Sequence, residues 1–314
     1  MLRFPLALLA LAILGVAPPA WSQTPPPAQP APSPSAQPAP SAQPAAPLFS
    51  TTKVDGTDNV YIFRYQGHQS MFIVTPQGVI ATDPIGLFRP QAVKTYIEEI
   101  QKITKAPIKY VIYSHHHYDH IAGGKPFKDL GATFIAHKNA KQHLLETKYP
   151  DAVIPDEVVD NKRTIKLGGT TLELLYLGRN HSDNMLVMRL PKEKIIFAVD
   201  FIPIQGLAFR GMPDYASPID NERSIERVLA MDWDRMIPGH PGGGRQIGTK
   251  KDAEEHLAYL RDLSAEVKKA ADANKCFDTA MQEIKLPKYA SFANYGQWLA
   301  GNIERYCYWW GRGY

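Results

Sequence analysis

Short runs of β-branched and aromatic residues recur along the chain from residue 60, with turn residues between them. Such runs predict strands, whereas apolar positions three to four residues apart predict helices. The strands expected on this basis are Val60–Tyr65, Met71–Thr75, Val79–Asp83, Ile108–Tyr113, Ala132–Ala136, Arg163–Leu167, Thr170–Leu177, Met185–Leu190, Lys194–Val199 and a short one ending at Ile237. The expected helices cover residues 89–103, a short stretch before residue 132, and residues 140–147, 221–230, 249–274, 278–285 and 294–310. This alternation favours an α+β sandwich of sheets covered by helices.

The first 49 residues have a different pattern. Arg3 precedes an apolar run over residues 6–16, and the small residues Ala20 and Ser22 follow, as in a secretory signal peptide cleaved after Ser22. The run is shorter than the roughly 20 apolar residues of a membrane span. Residues 23–49 are mostly Pro, Ala, Gln and Ser without charge, a composition typical of a disordered linker. We therefore expect a signal peptide over 1–22, a linker over 23–49 and a folded domain over 50–314.

Export follows from this interpretation. The signal predicts a periplasmic or secreted bacterial protein without stable membrane insertion after processing. The 35 Lys and Arg against 31 Asp and Glu in 314 residues give a net charge of only +4, so nothing in the charge favours nucleic acid as a partner. A small-molecule substrate is the expected partner, and the oligomeric state stays open.

The chemistry concentrates in one segment, Ser114-His115-His116-His117-Tyr118-Asp119-His120, which directly follows the strand predicted at 108–113. Imidazole and carboxylate are ligands that borderline divalent metals prefer. In an extended loop, His115 and His117 point to the same side, and Asp119 and His120 can serve a second position. His116 points the other way and is left out as a ligand. The segment therefore predicts a metal site at the end of a buried strand.

This segment resembles the His-x-His-x-Asp-His signature of the metallo-β-lactamase superfamily, and the resemblance extends over residues 55–245. It implies a four-layer αββα sandwich, with residues 249–314 as a C-terminal helical extension. It also implies that His115, His117 and His181 bind one metal ion, that Asp119, His120 and His240 bind a second, and that Asp200 bridges the two. Asp83 resembles a supporting position. The cofactor implied is two Zn²⁺ per chain, with iron or manganese as alternatives.

Two metals about 3.5–4 Å apart lower the pKa of a bridging water, and the resulting hydroxide attacks the substrate. The resemblance thus implies a zinc-dependent hydrolase of a small ester, lactone, thioester or amide, with Asp119 as a ligand that also orients the nucleophile. A β-lactam stays open as a substrate, because His181-Ser182-Asp183-Asn184 resembles the corresponding loop of true β-lactamases. Their cysteine-ligand subclasses, however, carry Cys where Asp200 stands. The alternative is a mononuclear iron enzyme similar to the sulfur dioxygenases.

Several further residues are interpreted more plainly. His68, His137, His143 and His256 have no ligand spacing and are expected to be solvated or hydrogen-bonded surface residues. The chain has only two cysteines, Cys276 and Cys307, which are too few for a zinc site made of cysteines. Whether they form a disulfide in an oxidising compartment stays open. The aromatic segment Tyr289–Tyr314 is expected either to pack on the sandwich or to form an aromatic wall or dimer contact.

Overall fold

The structure is a computed structural model that describes residues 47–212, Tyr215 and residues 217–314. The predicted signal peptide and residues 23–46 of the predicted linker lie outside these residues. The first strand begins at Phe49, inside the range predicted as linker, and Phe49–Lys53 pairs with residues 61–65 of the next strand. Among the described helices, none has both the length and the apolar character that crossing a membrane requires.

The first sheet has seven strands in chain order. The strands β1 to β4 are antiparallel neighbours, and β4 to β7 are parallel neighbours. Sequence patterning missed β1 and β7, since both are short edge strands with mixed exposure. The bounds are Phe49–Lys53 (β1), Val60–Tyr65 (β2), His68–Thr75 (β3), Gly78–Thr82 (β4), Ile108–Ile112 (β5), Thr133–His137 (β6) and Glu157–Val159 (β7).

The second sheet has six strands in the order β13-β12-β11-β10-β9-β8. Its neighbours are antiparallel except for β11 and β12, which run parallel. The two-residue β13 carries no sequence periodicity and was not predicted. The bounds are Lys162–Leu167 (β8), Thr170–Tyr176 (β9), Leu186–Leu190 (β10), Ile195–Phe197 (β11), Arg235–Ile237 (β12) and Gly248–Thr249 (β13).

Helices cover the outer face of each sheet. The first sheet packs its outer aromatic side chains, such as Phe63 and Phe72, against Tyr96 of α1. A larger apolar core lies between the sheets and continues under α5, α6 and α8. The helices are Pro90–Ile103 (α1), Tyr118–Ile121 (α2), Lys125–Asp129 (α3), Lys138–Thr147 (α4), Pro218–Leu229 (α5), Lys250–Asp272 (α6), Ala280–Glu283 (α7) and Tyr295–Arg312 (α8), with a single 3₁₀ turn at Pro287–Tyr289. The predicted four-layer αββα sandwich is confirmed.

The C-terminal extension is fastened to this frame. Helix α6 begins with a capping box formed by Thr249 and Asp252, and α8 packs along it. Cys276 and Cys307 form a disulfide with Cα atoms 5.3 Å apart, which closes the question that the sequence left open. The bond ties α8 to the segment that follows α6.

Candidate metal centre

Five of the seven predicted ligands lie in loops that follow strands. The segment carrying His115 and His117 leaves β5, His181 lies between β9 and β10, and His240 comes after β12. Asp200 follows β11 and has φ of +66°, a left-handed conformation that Asp and Asn tolerate better than most residues. The other two predicted ligands, Asp119 and His120, lie on the short helix α2.

The first group of side chains is His115, His117, His181 and Asp200. The Nε2 atoms of His115 and His181 each lie 3.5 Å from Asp200 Oδ2. His181 Nε2 is 2.9 Å from His117 Nδ1. The rings of His115 and His117 meet edge to face, at an interplanar angle of 75°. The nitrogen atoms therefore converge on one point beside the Asp200 carboxylate.

The second group is Asp119, His120, His240 and again Asp200. His120 Nε2 lies 2.9 Å from Asp200 Oδ2 and 3.3 Å from Asp119 Oδ2. His240 Nε2 lies 3.2 Å from Asp200 Oδ1. The Asp200 carboxylate thus lies next to nitrogen atoms of both groups, with Oδ2 near His115, His181 and His120 and Oδ1 near His240. The structure brings together the same residues that the family resemblance implied for each group.

The donor atoms fit a divalent cation. A tetrahedral site with bonds of about 2.0–2.1 Å separates its ligand atoms by about 3.3 Å, close to the spacings found in both groups. His115 Nε2, both ring nitrogens of His120 and Asp200 Oδ1 are buried without a hydrogen-bond partner among the described residues. Buried polar atoms are rarely left in this state, so the cluster has the polarity and the size to hold metal ions.

The pKa values of the buried histidines also differ between the two groups. Burial holds the pKa of His115 well below 6.5 and lowers that of His181 to about 3, so both imidazoles are neutral, as metal ligands must be. Burial acts in the same direction on His120, but the carboxylates of Asp200 and Asp119 outweigh it and raise the pKa of His120 well above its usual value. The carboxylates therefore favour a positive charge between them.

Neighbouring groups hold the proposed ligands in place. Asp83, predicted as a supporting position, accepts a hydrogen bond from the Ser114 backbone N–H at 2.7 Å and lies 3.6 Å from His120 Nδ1. His240 Nδ1 lies 2.7 Å from the carbonyl oxygen of Gly67. A methyl group on Gly239 would lie 2.8 Å from both Asp200 Oδ1 and His120 Cε1, so this position requires glycine.

One functional residue escaped the sequence interpretation. His68 was expected in a turn and on the surface, but it is the first residue of β3 and pairs with Tyr65 across a two-residue turn. Its Nε2 lies 3.2 Å from Asp119 Oδ2, and its ring contacts that of His240 edge to face at 4.3 Å. The prediction was wrong because a residue 47 positions before the motif gives no spacing signal.

Two other histidines are also buried, so the surface interpretation was wrong for them too. His137 caps the start of α4 by accepting a hydrogen bond from the Asn139 backbone N–H, and its ring stacks on Tyr176. His256 lies on the buried face of α6. In the sequence, a single histidine among apolar residues looks the same whether it is buried or exposed. Its burial depends on which other elements pack against it.

His116 and His143 lie outside the two groups. Their rings stack at 4.4 Å with an interplanar angle of 23°, and His143 Nε2 lies 3.0 Å from Asp183 Oδ1. With Asp183 they form a third group of donor atoms that could hold a metal ion. His116 therefore lies apart from the two groups that contain the predicted ligands, but within another candidate group.

A cavity of about 770 Å³ opens directly above the two groups. Asp119, Asp200 and His240 lie at its floor, and apolar side chains form most of its walls. Trp298 of α8 lines the cavity, while Tyr306 of the same helix is buried in the core. The aromatic C-terminal segment therefore both packs on the sandwich and contributes to the wall of the site.

Comparison with known proteins agrees with this fold and site. Residues 76–240, more than half of the chain, match the model of the metallo-beta-lactamase superfamily. The chain belongs to that superfamily. Its members are mostly metal-dependent hydrolases, and a divalent metal fits the histidine and aspartate groups.

The curated relatives are distant. The chain is 27% identical over 168 residues to the 2,4-dinitroanisole O-demethylase subunit alpha of Nocardioides sp. (strain JS1661), which covers 52% of this chain and 49% of that protein. It is 27% identical over 149 residues to a metallo-beta-lactamase type 2 of Elizabethkingia meningoseptica, covering 44% of this chain and 57% of that one. The matches thus span only about half the length of these relatives.

Solved structures share the fold. A metallo-beta-lactamase from Pontibacter korlensis superposes with a TM-score of 0.58 at 19% identity, over 68% of this chain and 99% of that one. The DIM-1 metallo-beta-lactamase gives 0.58 at 21% identity, over 69% and 98%. The alignments cover almost all of both solved structures, so nearly all of the unmatched residues are in this chain.

Proposed function

We propose that this protein is a zinc-dependent hydrolase of a small ester, lactone, thioester or amide, and that it binds two ions per chain. The observation that carries the proposal is the position of Asp200. Its Oδ2 lies 3.5 Å from His115 Nε2 in the first group and 2.9 Å from His120 Nε2 in the second, and its Oδ1 lies 3.2 Å from His240 Nε2. A carboxylate shared in this way offsets the repulsion between two cations.

Each ion has its own ligand set in this proposal. His115, His117 and His181 hold one ion, and Asp119, His120 and His240 hold the other. Nitrogen and carboxylate donors in groups of this size suit zinc, and they also suit iron or manganese. The membership of each set agrees with the distances between donor atoms.

Two bound ions would supply a nucleophilic hydroxide near neutral pH and polarise the scissile bond. The side chains have the remaining tasks. Asp119 orients the attacking water through its carboxylate at the cavity floor, and the apolar walls exclude bulk water and bind the substrate. A cysteine nucleophile is not involved, because both cysteines are in the disulfide.

The mononuclear iron oxygenase is the alternative. A single ion would leave one of the two groups without a cation, with Asp119 and Asp200 facing histidines across 2.9–3.7 Å. The sharing of Asp200 favours the dinuclear hydrolase. A β-lactam is one amide within the proposed substrate class, and the distant β-lactamase relatives support its inclusion in the assays.

Elemental analysis combined with a substrate panel tests the proposal. The protein is purified without added metal and assayed against a carboxylic ester, a lactone, a thioester, an amide and a β-lactam. We expect two zinc ions per chain and hydrolysis of at least one substrate. Asp119→Ala should reduce turnover strongly, whereas His116→Ala should leave the metal content unchanged. One iron per chain with oxygen consumption would contradict the hydrolase.

We also propose that the protein acts after export, in the periplasm or outside the cell. The signal-like pattern of residues 1–22 supports this, and so does the disulfide, since such bonds persist in oxidising compartments. N-terminal sequencing of protein recovered from the periplasm or medium should find a start near Gln23. An intact Met1 would contradict the proposal.

A further inference from the structure

The walls of the cavity beside the proposed metal centre contain several large aromatic side chains. Three large rings line it, those of Phe88, Phe209 and Trp298. Phe88 lies in the loop between β4 and α1, next to the first sheet, whereas Phe209 follows β11 of the second sheet and Trp298 lies on α8. The rings therefore reach the cavity from opposite halves of the sandwich.

Phe88 is exposed in an unusual way. Its side chain is 93% exposed, more than any other large apolar residue in the described part of the chain. Its φ of +55° lies in the left-handed region, which is strained for an aromatic residue. Arg89 fixes the loop by donating hydrogen bonds to the carbonyl oxygens of Ile85 and Asp119. A strained loop that holds an apolar ring in solvent beside a reaction centre indicates a binding function.

Phe209 and Trp298 line another part of the cavity. The rings of Phe209 and Trp298 meet edge to face at 5.3 Å, and the Arg210 guanidinium lies over the Phe209 ring at 5.2 Å. Asn302 of α8 donates a hydrogen bond to the Ala208 carbonyl oxygen, which holds this segment against the helix. Trp298 lies outside the range that matches the superfamily model, whereas Phe209 lies inside it, so the C-terminal helix adds Trp298 to this wall.

From this geometry we infer that Phe88, Phe209 and Trp298 form an aromatic clamp that binds an aryl group of the substrate. The inference rests on the proposed hydrolase and narrows its substrates to esters or lactones that carry an aromatic ring near the scissile bond. An aryl group between the rings buries apolar surface on both faces and makes edge contacts that a saturated ring does not make.

Four esters with matched chemistry test the clamp in the zinc-loaded protein. Methyl phenylacetate and benzyl acetate carry the ring on either side of the ester, methyl cyclohexylacetate replaces it with a saturated ring, and methyl acetate lacks it. We expect one of the two aryl esters to exceed methyl acetate in kcat/KM by about tenfold or more. Methyl phenylacetate should exceed the cyclohexyl ester by about two- to tenfold if the ring lies on the acyl side.

Variants then assign the effect to the clamp. Phe88→Ala and Trp298→Leu should each lower the ratio of aryl ester to methyl acetate severalfold. Trp310→Leu is the matched control for Trp298, because it removes a tryptophan from the same helix, where the side chain contacts Ser264 and Lys268 instead of the cavity. Phe277→Ala is the control for Phe88, since it removes another exposed phenylalanine. Both controls should keep the wild-type ratio.

The outcomes separate the two proposals. Equal kcat/KM for aryl esters and methyl acetate, or an unchanged ratio in Phe88→Ala, would overturn the clamp. If methyl phenylacetate is the better of the two aryl esters, a kcat/KM for methyl cyclohexylacetate equal to that for methyl phenylacetate would overturn the aromatic character of the clamp. If no ester is hydrolysed, the proposed function fails, and equilibrium binding of phenylacetate against acetate to the zinc-loaded protein decides the clamp. Tighter binding of phenylacetate that Phe88→Ala abolishes would support it, and equal binding would overturn it.

Discussion

His68 and Asp119 face each other across the edge of the proposed metal centre, with His68 Nε2 3.2 Å from Asp119 Oδ2. The same imidazole ring contacts the ring of His240 at 4.3 Å. With a further ring contact to His120 at 5.7 Å, His68 contacts three members of the second ligand group without belonging to it. Side chains in this position fix the orientation of metal ligands, and their loss commonly reduces metal affinity or activity.

Replacing His68 tests this positioning role. His68→Leu keeps much of the packing but removes the hydrogen bond, so we expect turnover or metal affinity to fall by about 10- to 100-fold. His68→Gln retains a donor and should recover part of the loss. His143→Leu is the control, because His143 pairs with Asp183 instead of a proposed ligand. Wild-type rates and metal content in His68→Leu would remove His68 from the site.

Asp200→Asn separates the charge of the proposed bridge from its shape. Asparagine tolerates the left-handed backbone at this position, so the fold should persist. We expect both metal ions to be bound more weakly and hydrolysis to fall sharply, because the carboxylate lies next to His115 and His181 of the first group and to His120 and His240 of the second. Metal per chain and the rate on any accepted ester are measured together. Two ions and a normal rate would leave the bridge unsupported.

The disulfide should stabilise the C-terminal extension. Cys276 and Cys307 are separated by 31 positions in the sequence, and closing a loop of that length contributes about 3–4 kcal/mol to the free energy of unfolding. Cys276→Ser with Cys307→Ser should lower that free energy by about this amount in urea unfolding. A reductant should affect the wild type but not the double variant. Equal stability of the two proteins would show that the bond does not constrain the unfolded chain.

His256 gives a prediction for acid stability at a site remote from the proposed ligands. Burial lowers the pKa of His256 to about 4, so between pH 4 and about 6.5 the unfolded chain binds a proton that the folded chain does not. Stability is therefore complete above pH 6.5 and is lost as pH falls. Relative to His256→Leu, the wild type should lose about 2 kcal/mol between pH 7.5 and pH 5. Parallel pH profiles for the two proteins would contradict the shift.

From the sequence alone, the metal motif could be found because His115, His117, Asp119 and His120 lie within six residues, on one loop and one helical turn. His181, Asp200 and His240 each follow a predicted strand, but their assignment as ligands came from the resemblance to the superfamily. The internal strands were also predictable, since burial on both faces leaves near-continuous apolar runs.

Only the tertiary structure decided the residues whose role depends on contacts between distant segments. His68 reaches Asp119 because β3 adjoins the edge where the motif ends, and Trp298 enters the cavity because α8 packs beside residues 207–210. The pairing of Cys276 with Cys307 depends on how α8 lies against α6. None of these distances is encoded by local spacing. They follow from the packing of whole elements, which sets the distance between residues far apart in the chain.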